Sequence, residues 1–150
     1  MPAVFNHARV VLDSEIDRQG HVNNVAFIRW MQDAAVAHSA EQGWTDDRYE
    51  EAGFGWVARS HHIEYLASAF LGEPIIVMTW VAGFSKATSS RRYRIWNADT
   101  KVLLAKAETV WAFVSLTTGK PGRINPEVSA AFEAVDENDE RQKLLLVLDQ

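Results

Sequence analysis

The chain contains no cysteine, which excludes disulfides, thiol catalysis and thiolate metal sites together. Long apolar runs are missing as well: nothing approaches the ~18 consecutive apolar residues of a membrane-spanning helix. The opening residues, Met1 to His7, lack the basic and then apolar blocks of a secretory signal. Positive charge is in the minority, with 15 Lys and Arg against 20 Asp and Glu. The net charge of -5 disfavours nonspecific contact with nucleic acid or an anionic membrane, yet leaves room for a local basic pocket. These absences point to a soluble, intracellular protein with the cytoplasm as its expected compartment.

What is present suits one globular domain. Hydrophobic residues make up 47% and charged residues 23% of 150 positions, enough to bury a real core. No internal repeat or second domain stands out. The expected domain is 1–150, with a core over about 8–117 and a C-terminal tail over 118–150.

Local patterns divide the chain into elements. A short apolar strand is expected over Arg9 to Leu12. A helix is expected over Val25 to Gln42, with Asn24 as N-cap and Gly43 as its stop. Its stripe is Ile28, Met31, Ala35 and His38, widened by Val25, Trp30, Ala34 and Ala37, which reads as a central, mostly buried helix. The polar stretch Thr45 to Gly55 reads as a loop holding at most one helical turn. Strands are expected over Trp56 to Tyr65, Ile75 to Ala82, Thr88 to Trp96 and Val102 to Ser115. Short gaps between them favour an antiparallel meander. A further helix is expected over Pro126 to Val135, Asp136 to Arg141 reads as a solvated charged stretch, and Leu144 to Leu148 as an apolar patch. Together these elements predict an α+β domain in which one curved sheet wraps one long helix.

The densest chemistry lies in Asp17-Arg18-Gln19-Gly20-His21-Val22-Asn23-Asn24, between the first strand and the long helix. A carboxylate, a glycine turn and a helix N-terminus fall within a few residues. That combination offers a base or nucleophile beside backbone N–H groups able to receive a developing negative charge. Gly20 permits a left-handed turn and a close approach of substrate to the backbone. Alone, Asp17 would read as an ordinary turn or capping residue.

Other candidates are weaker. His61 and His62 are adjacent on a strand and so face opposite sides, with no sensibly spaced third ligand, so no metal site is expected. His38 sits on the apolar helix stripe as a core histidine would. Glu64 and Glu108 read as exposed or paired strand carboxylates. Lys86, Arg91, Arg92 and Arg94 cluster beside Ser89 and Ser90, a set suited to a diphosphate but equally to a solvated, ion-paired strand face.

The Asp-x-x-Gly-His-Val-Asn-Asn segment, Val25 to Trp30, His62 to Leu66 and Phe70 to Glu73 resemble the hotdog-fold acyl-CoA thioesterases of the 4-hydroxybenzoyl-CoA thioesterase type. The similarity spans roughly Val10 to Leu116. It implies thioester hydrolysis with Asp17 as general base or nucleophile and the Asn24 amide as oxyanion donor. His21 and Asn23 would hold the turn or position water, and Gly20 and Phe27 would border the substrate. Lys86, Ser89, Arg91 and Arg92 would meet coenzyme A, which enters only as part of the substrate; no separate cofactor is implied. The resemblance also implies dimers or tetramers with active sites between subunits. Two departures are visible: Phe27 stands where relatives often carry Tyr, and Ala67-Ser68-Ala69 lacks a frequent proline. The alternatives are a hotdog hydratase or dehydratase acting on acyl thioesters, and a non-catalytic acyl-thioester binding protein.

Overall fold

The computed structural model describes residues 3–135 of the chain. The expectations for Asp136 to Arg141 and Leu144 to Leu148 lie outside the described residues. Five antiparallel strands form one sheet: β1 (Val4–Val10), β2 (Phe54–Tyr65), β3 (Pro74–Phe84), β4 (Thr88–Asn97) and β5 (Leu103–Ser115). Among the described residues, three α-helices accompany them, α1 (Asn24–Glu41), α2 (Asp46–Ala52) and α3 (Pro126–Ala130), with a single 3-10 turn at Asp13–Glu15.

The sheet order is β1-β3-β4-β5-β2, so only β3, β4 and β5 form the expected meander. β2 does not pair with β3; it runs to the far edge and pairs with β5. The connection from Leu66 to Glu73 explains the crossing. Leu66 and Ala67 donate to the Leu104 carbonyl, Val22 donates to Ala69, and Gly72 donates to Val11. The connection thus satisfies its backbone along the end of the sheet.

The first strand is Val4–Val10 rather than Arg9 to Leu12. Its polar residues Asn6, His7 and Arg9 hide the pattern, because among the described residues β1 is an edge strand whose one neighbour is β3. The stretch Thr45 to Gly55 holds a true helix, α2, capped by Thr45, whose side chain accepts from the Arg48 amide. α3 is shorter than expected and ends at Ala130.

α1 begins one residue earlier than expected and buries one face rather than most of its surface. Ala26, Phe27, Trp30, Met31, Ala34, Ala35 and His38 are buried, whereas Val25 is 68% exposed. That face packs on Ile75, Val77, Tyr93, Ile95 and Ala105 of the sheet. A second apolar cluster joins Trp44, Tyr49, Val81 and Phe113 to Ile124, Val128 and Phe132. The core therefore runs past the expected limit at 117 into the segment around α3. Among the described residues, no helix is long and apolar enough to cross a membrane.

Candidate active site

Asp17 sits on a tight reversal between β1 and α1. Its amide donates to the His21 carbonyl at 2.9 Å, and Gly20 donates back to the Asp17 carbonyl at 3.1 Å. Gly20 has a φ of 90°, a left-handed value that a side chain resists. Ile16 and Val22 bridge just outside the reversal. The Asp17 carboxylate accepts the Gln19 amide at 2.8 Å, while its second oxygen lies 3.5 Å from His21 Nδ1. Both side chains are about one third exposed, so a substrate can reach them.

Asn23, not Asn24, is the N-cap of α1. Its side-chain oxygen accepts the Ala26 amide at 2.8 Å, and its own amide and Nδ2 donate to the Glu15 carbonyl at 2.9 and 3.1 Å. Its side chain fits because the cap position has extended backbone (φ -72°, ψ 154°), which aims the side chain back along the helix. The cap leaves the Asn24 amide in the first turn, exposed and donating to no acceptor among the described residues. The Tyr65 hydroxyl, from β2, donates to the Asn24 carbonyl at 3.1 Å.

The reversal rests on a carboxylate that sequence patterns do not reveal. Glu15 is buried and accepts from Leu12, Arg9 and the Trp30 indole. Phe27 is 2% exposed, with its ring against Trp30 and edge-on to Tyr65.

The expected basic cluster is divided. Along β4, Ser89 and Arg91 turn inward and are buried, whereas Arg92 points to the opposite face and pairs with Glu108 at 3.1 Å. Burial sets Arg91 and Ser89 apart from the exposed Lys86 within the set expected to meet coenzyme A. Lys86 is exposed and shares a groove of about 460 Å³ with Arg123. His61 donates to or accepts from Thr109 at 2.8 Å, while His62 lies 3.8 Å from Glu64. Among the described residues, no three metal-ligating side chains gather.

The chain belongs to the thioesterase-like superfamily, which matches it over residues 11–132. Its class is that of the thioesterases. No curated protein matches the sequence. Among solved structures, it is similar to a 1,4-dihydroxy-2-naphthoyl-CoA thioesterase from Synechocystis, at 21% identity, with 85% of this chain and 94% of that one covered and a TM-score of 0.79. It is also similar to a DHNA-CoA thioesterase from Staphylococcus aureus, at 22% identity, 94% and 92% coverage and a TM-score of 0.80. A third likeness is to a Staphylococcus aureus hypothetical protein in complex with CoA, at 15% identity, 87% and 83% coverage and a TM-score of 0.80. These likenesses identify the fold as an α+β hotdog.

Proposed function

We propose that the protein hydrolyses acyl-CoA thioesters, in the manner of the 4-hydroxybenzoyl-CoA thioesterase type. The observation that carries this reading is the accessible Asp17 carboxylate on a tight turn, six residues before Asn23, the N-cap of α1, with an Asn24 amide that meets no acceptor among the described residues. In the general-base route, Asp17 takes a proton from water as the water oxygen bonds to the thioester carbon. The carbonyl oxygen gains the negative charge and is received by the Asn24 amide, reinforced by the helix dipole. Collapse of that intermediate breaks the carbon–sulfur bond and releases the coenzyme A thiolate. In the nucleophilic route, an Asp17 oxygen bonds to the thioester carbon and the coenzyme A thiolate leaves, giving an acyl anhydride that water cleaves to the free acid and the Asp17 carboxylate.

Supporting roles follow from placement. Asn23 and Gly20 hold the turn, His21 lies beside the carboxylate, and Phe27 supports the acyl side through its neighbours Trp30 and Tyr65. Lys86, with Arg123, is the proposed contact for the coenzyme phosphates. The reading includes a homodimer or tetramer working in the cytoplasm. Edge strand β2 supports assembly, since Val57 and Tyr65 on it are 53% and 41% exposed.

The test is free-thiol release from short, long and aromatic acyl-CoA esters by the wild type and Asp17→Asn. We expect turnover by the wild type and a fall of about 10²–10⁴-fold in the variant. Turnover that survives Asp17→Asn removes Asp17 from the mechanism. No release by either protein favours a hydratase, an acyl-carrier substrate or a binding role.

A further inference from the structure

The two apolar clusters facing the helices are separated by a polar band. His38, Thr79, Arg91 and Thr109 are all buried there. Beside the band lies a cavity of about 600 Å³, away from Asp17, lined by Tyr49, Phe54, Trp56, Phe84, Phe132 and Arg91 among others. Its size is that of a pocket for one small organic molecule.

Arg91 is the unusual member of that lining. It is only 5% exposed, and both of its hydrogen bonds leave Nη1, to His38 Nδ1 at 2.9 Å and Thr79 Oγ1 at 3.1 Å. Nε and Nη2 donate to no acceptor among the described residues, and no carboxylate there pairs with the guanidinium. The Phe132 ring, 5.9 Å from the guanidinium carbon, gives a weak cation–π contact and no charge compensation. Buried charges are ordinarily paired, because desolvation penalises a lone one. Here the two bonded partners are a hydroxyl and a ring nitrogen acting as acceptor, so no negative charge among the described residues cancels the positive one.

Among the described residues, the other charges facing the cavity are Asp46 and Glu50, both exposed on α2. The interior is thus cationic and the rim acidic. An acidic rim opposes a polyanion such as a diphosphate, whereas a single carboxylate on an apolar body can pass and meet Arg91. The aromatic walls supply contact area for that body.

We infer that this cavity binds a monocarboxylate with an apolar or aromatic body, whose carboxylate is received by Arg91. Acids released from thioesters belong to that chemical class, but binding of this kind does not require the chain to hydrolyse anything.

The experiment is a calorimetric titration of the full-length chain with 4-phenylbutyrate and with its neutral amide, 4-phenylbutyramide. Trp56 and Trp111 line the cavity and give an independent fluorescence readout. A charge-assisted bond to Arg91 predicts that the acid binds about tenfold or more tightly than the amide. Arg91→Met should erase that preference. Val36→Trp, at a 46% exposed position of the cavity lining, should weaken both ligands without disturbing the core. It also keeps the test decisive should Arg91→Met fail to fold. Equal binding of acid and amide by the wild type, binding unaffected by Val36→Trp, or binding of neither ligand overturns the inference.

Discussion

The indole N–H of Trp30 donates to the Glu15 carboxylate at 2.6 Å, joining the middle of α1 to the segment that carries Asp17. The same carboxylate accepts the Leu12 amide at 2.9 Å and Arg9 Nη2 at 3.2 Å. The Glu15 backbone carbonyl takes both donors of Asn23. One residue therefore ties β1, the Asp17 reversal and the start of α1 to a single buried point.

Removing that point should cost stability and position at once. In Glu15→Ala the buried Trp30 N–H loses its partner, and Arg9 loses its buried carboxylate while keeping the exposed Asp33 at 3.2 Å and its place over the Trp30 ring. The expected loss is about 3 kcal/mol, read from urea midpoints, because a buried donor and a charge are left unsatisfied. Glu15→Gln, which can still accept from Trp30, should lose less. Equal losses for the two variants would show that the negative charge, not the acceptor geometry, is what matters.

Much of this fold was legible in the sequence, and the exceptions share physical causes. Strand β4 was readable from its regular alternation of burial, β5 from a looser one, and β3 from its apolar run after Gly72-Glu73-Pro74, since it is buried on both faces from Val77 to Val81. The pairing of β2 was not, because chain order says nothing about which edge a strand joins. β1 was obscured by Asn6, His7 and Arg9, polar residues that an edge strand tolerates. At the candidate site, the reversal and the helix start were visible in Gly20 and the two asparagines. The division of labour between those asparagines was not, since Asn23 and Asn24 are equally good caps by type and only the bond to Ala26 distinguishes them. Glu15, and the burial of Arg91, escaped notice for another reason. Charged residues are ordinarily exposed, and their burial depends on partners distant in sequence.

Gly20 offers a local test of the turn. A Cβ there would meet nothing within 4 Å, so Gly20→Ala introduces no clash. Its cost comes from the φ of 90°, where a side chain is strained by about 1 kcal/mol. The turn can relieve that strain only by shifting the Asp17 amide and carbonyl that close it. A modest stability loss should therefore accompany a larger fall in kcat. The measurement is kcat and urea midpoint side by side; a lost midpoint with unchanged kcat would show that Asp17 tolerates movement.

His38 should give the chain a specific sensitivity to acid. Burial first, and the Arg91 guanidinium second, press its pKa from 6.5 to about 3. The unfolded chain thus takes up a proton near pH 6.5 that the folded chain refuses until about pH 3. Above pH 6.5 this imidazole is neutral in both states and imposes no penalty. As pH falls from there, the unfolded state binds the extra proton and stability drops by up to about 1.4 kcal/mol per unit, levelling off below about pH 3. His38→Gln retains an acceptor for Arg91 but cannot titrate. Between pH 7 and pH 5 the wild type should lose about 2 kcal/mol more stability than His38→Gln, measured by urea unfolding at each pH. Parallel losses in the two chains would mean that the folded state accommodates a protonated His38, with Arg91 moving away from it to make room.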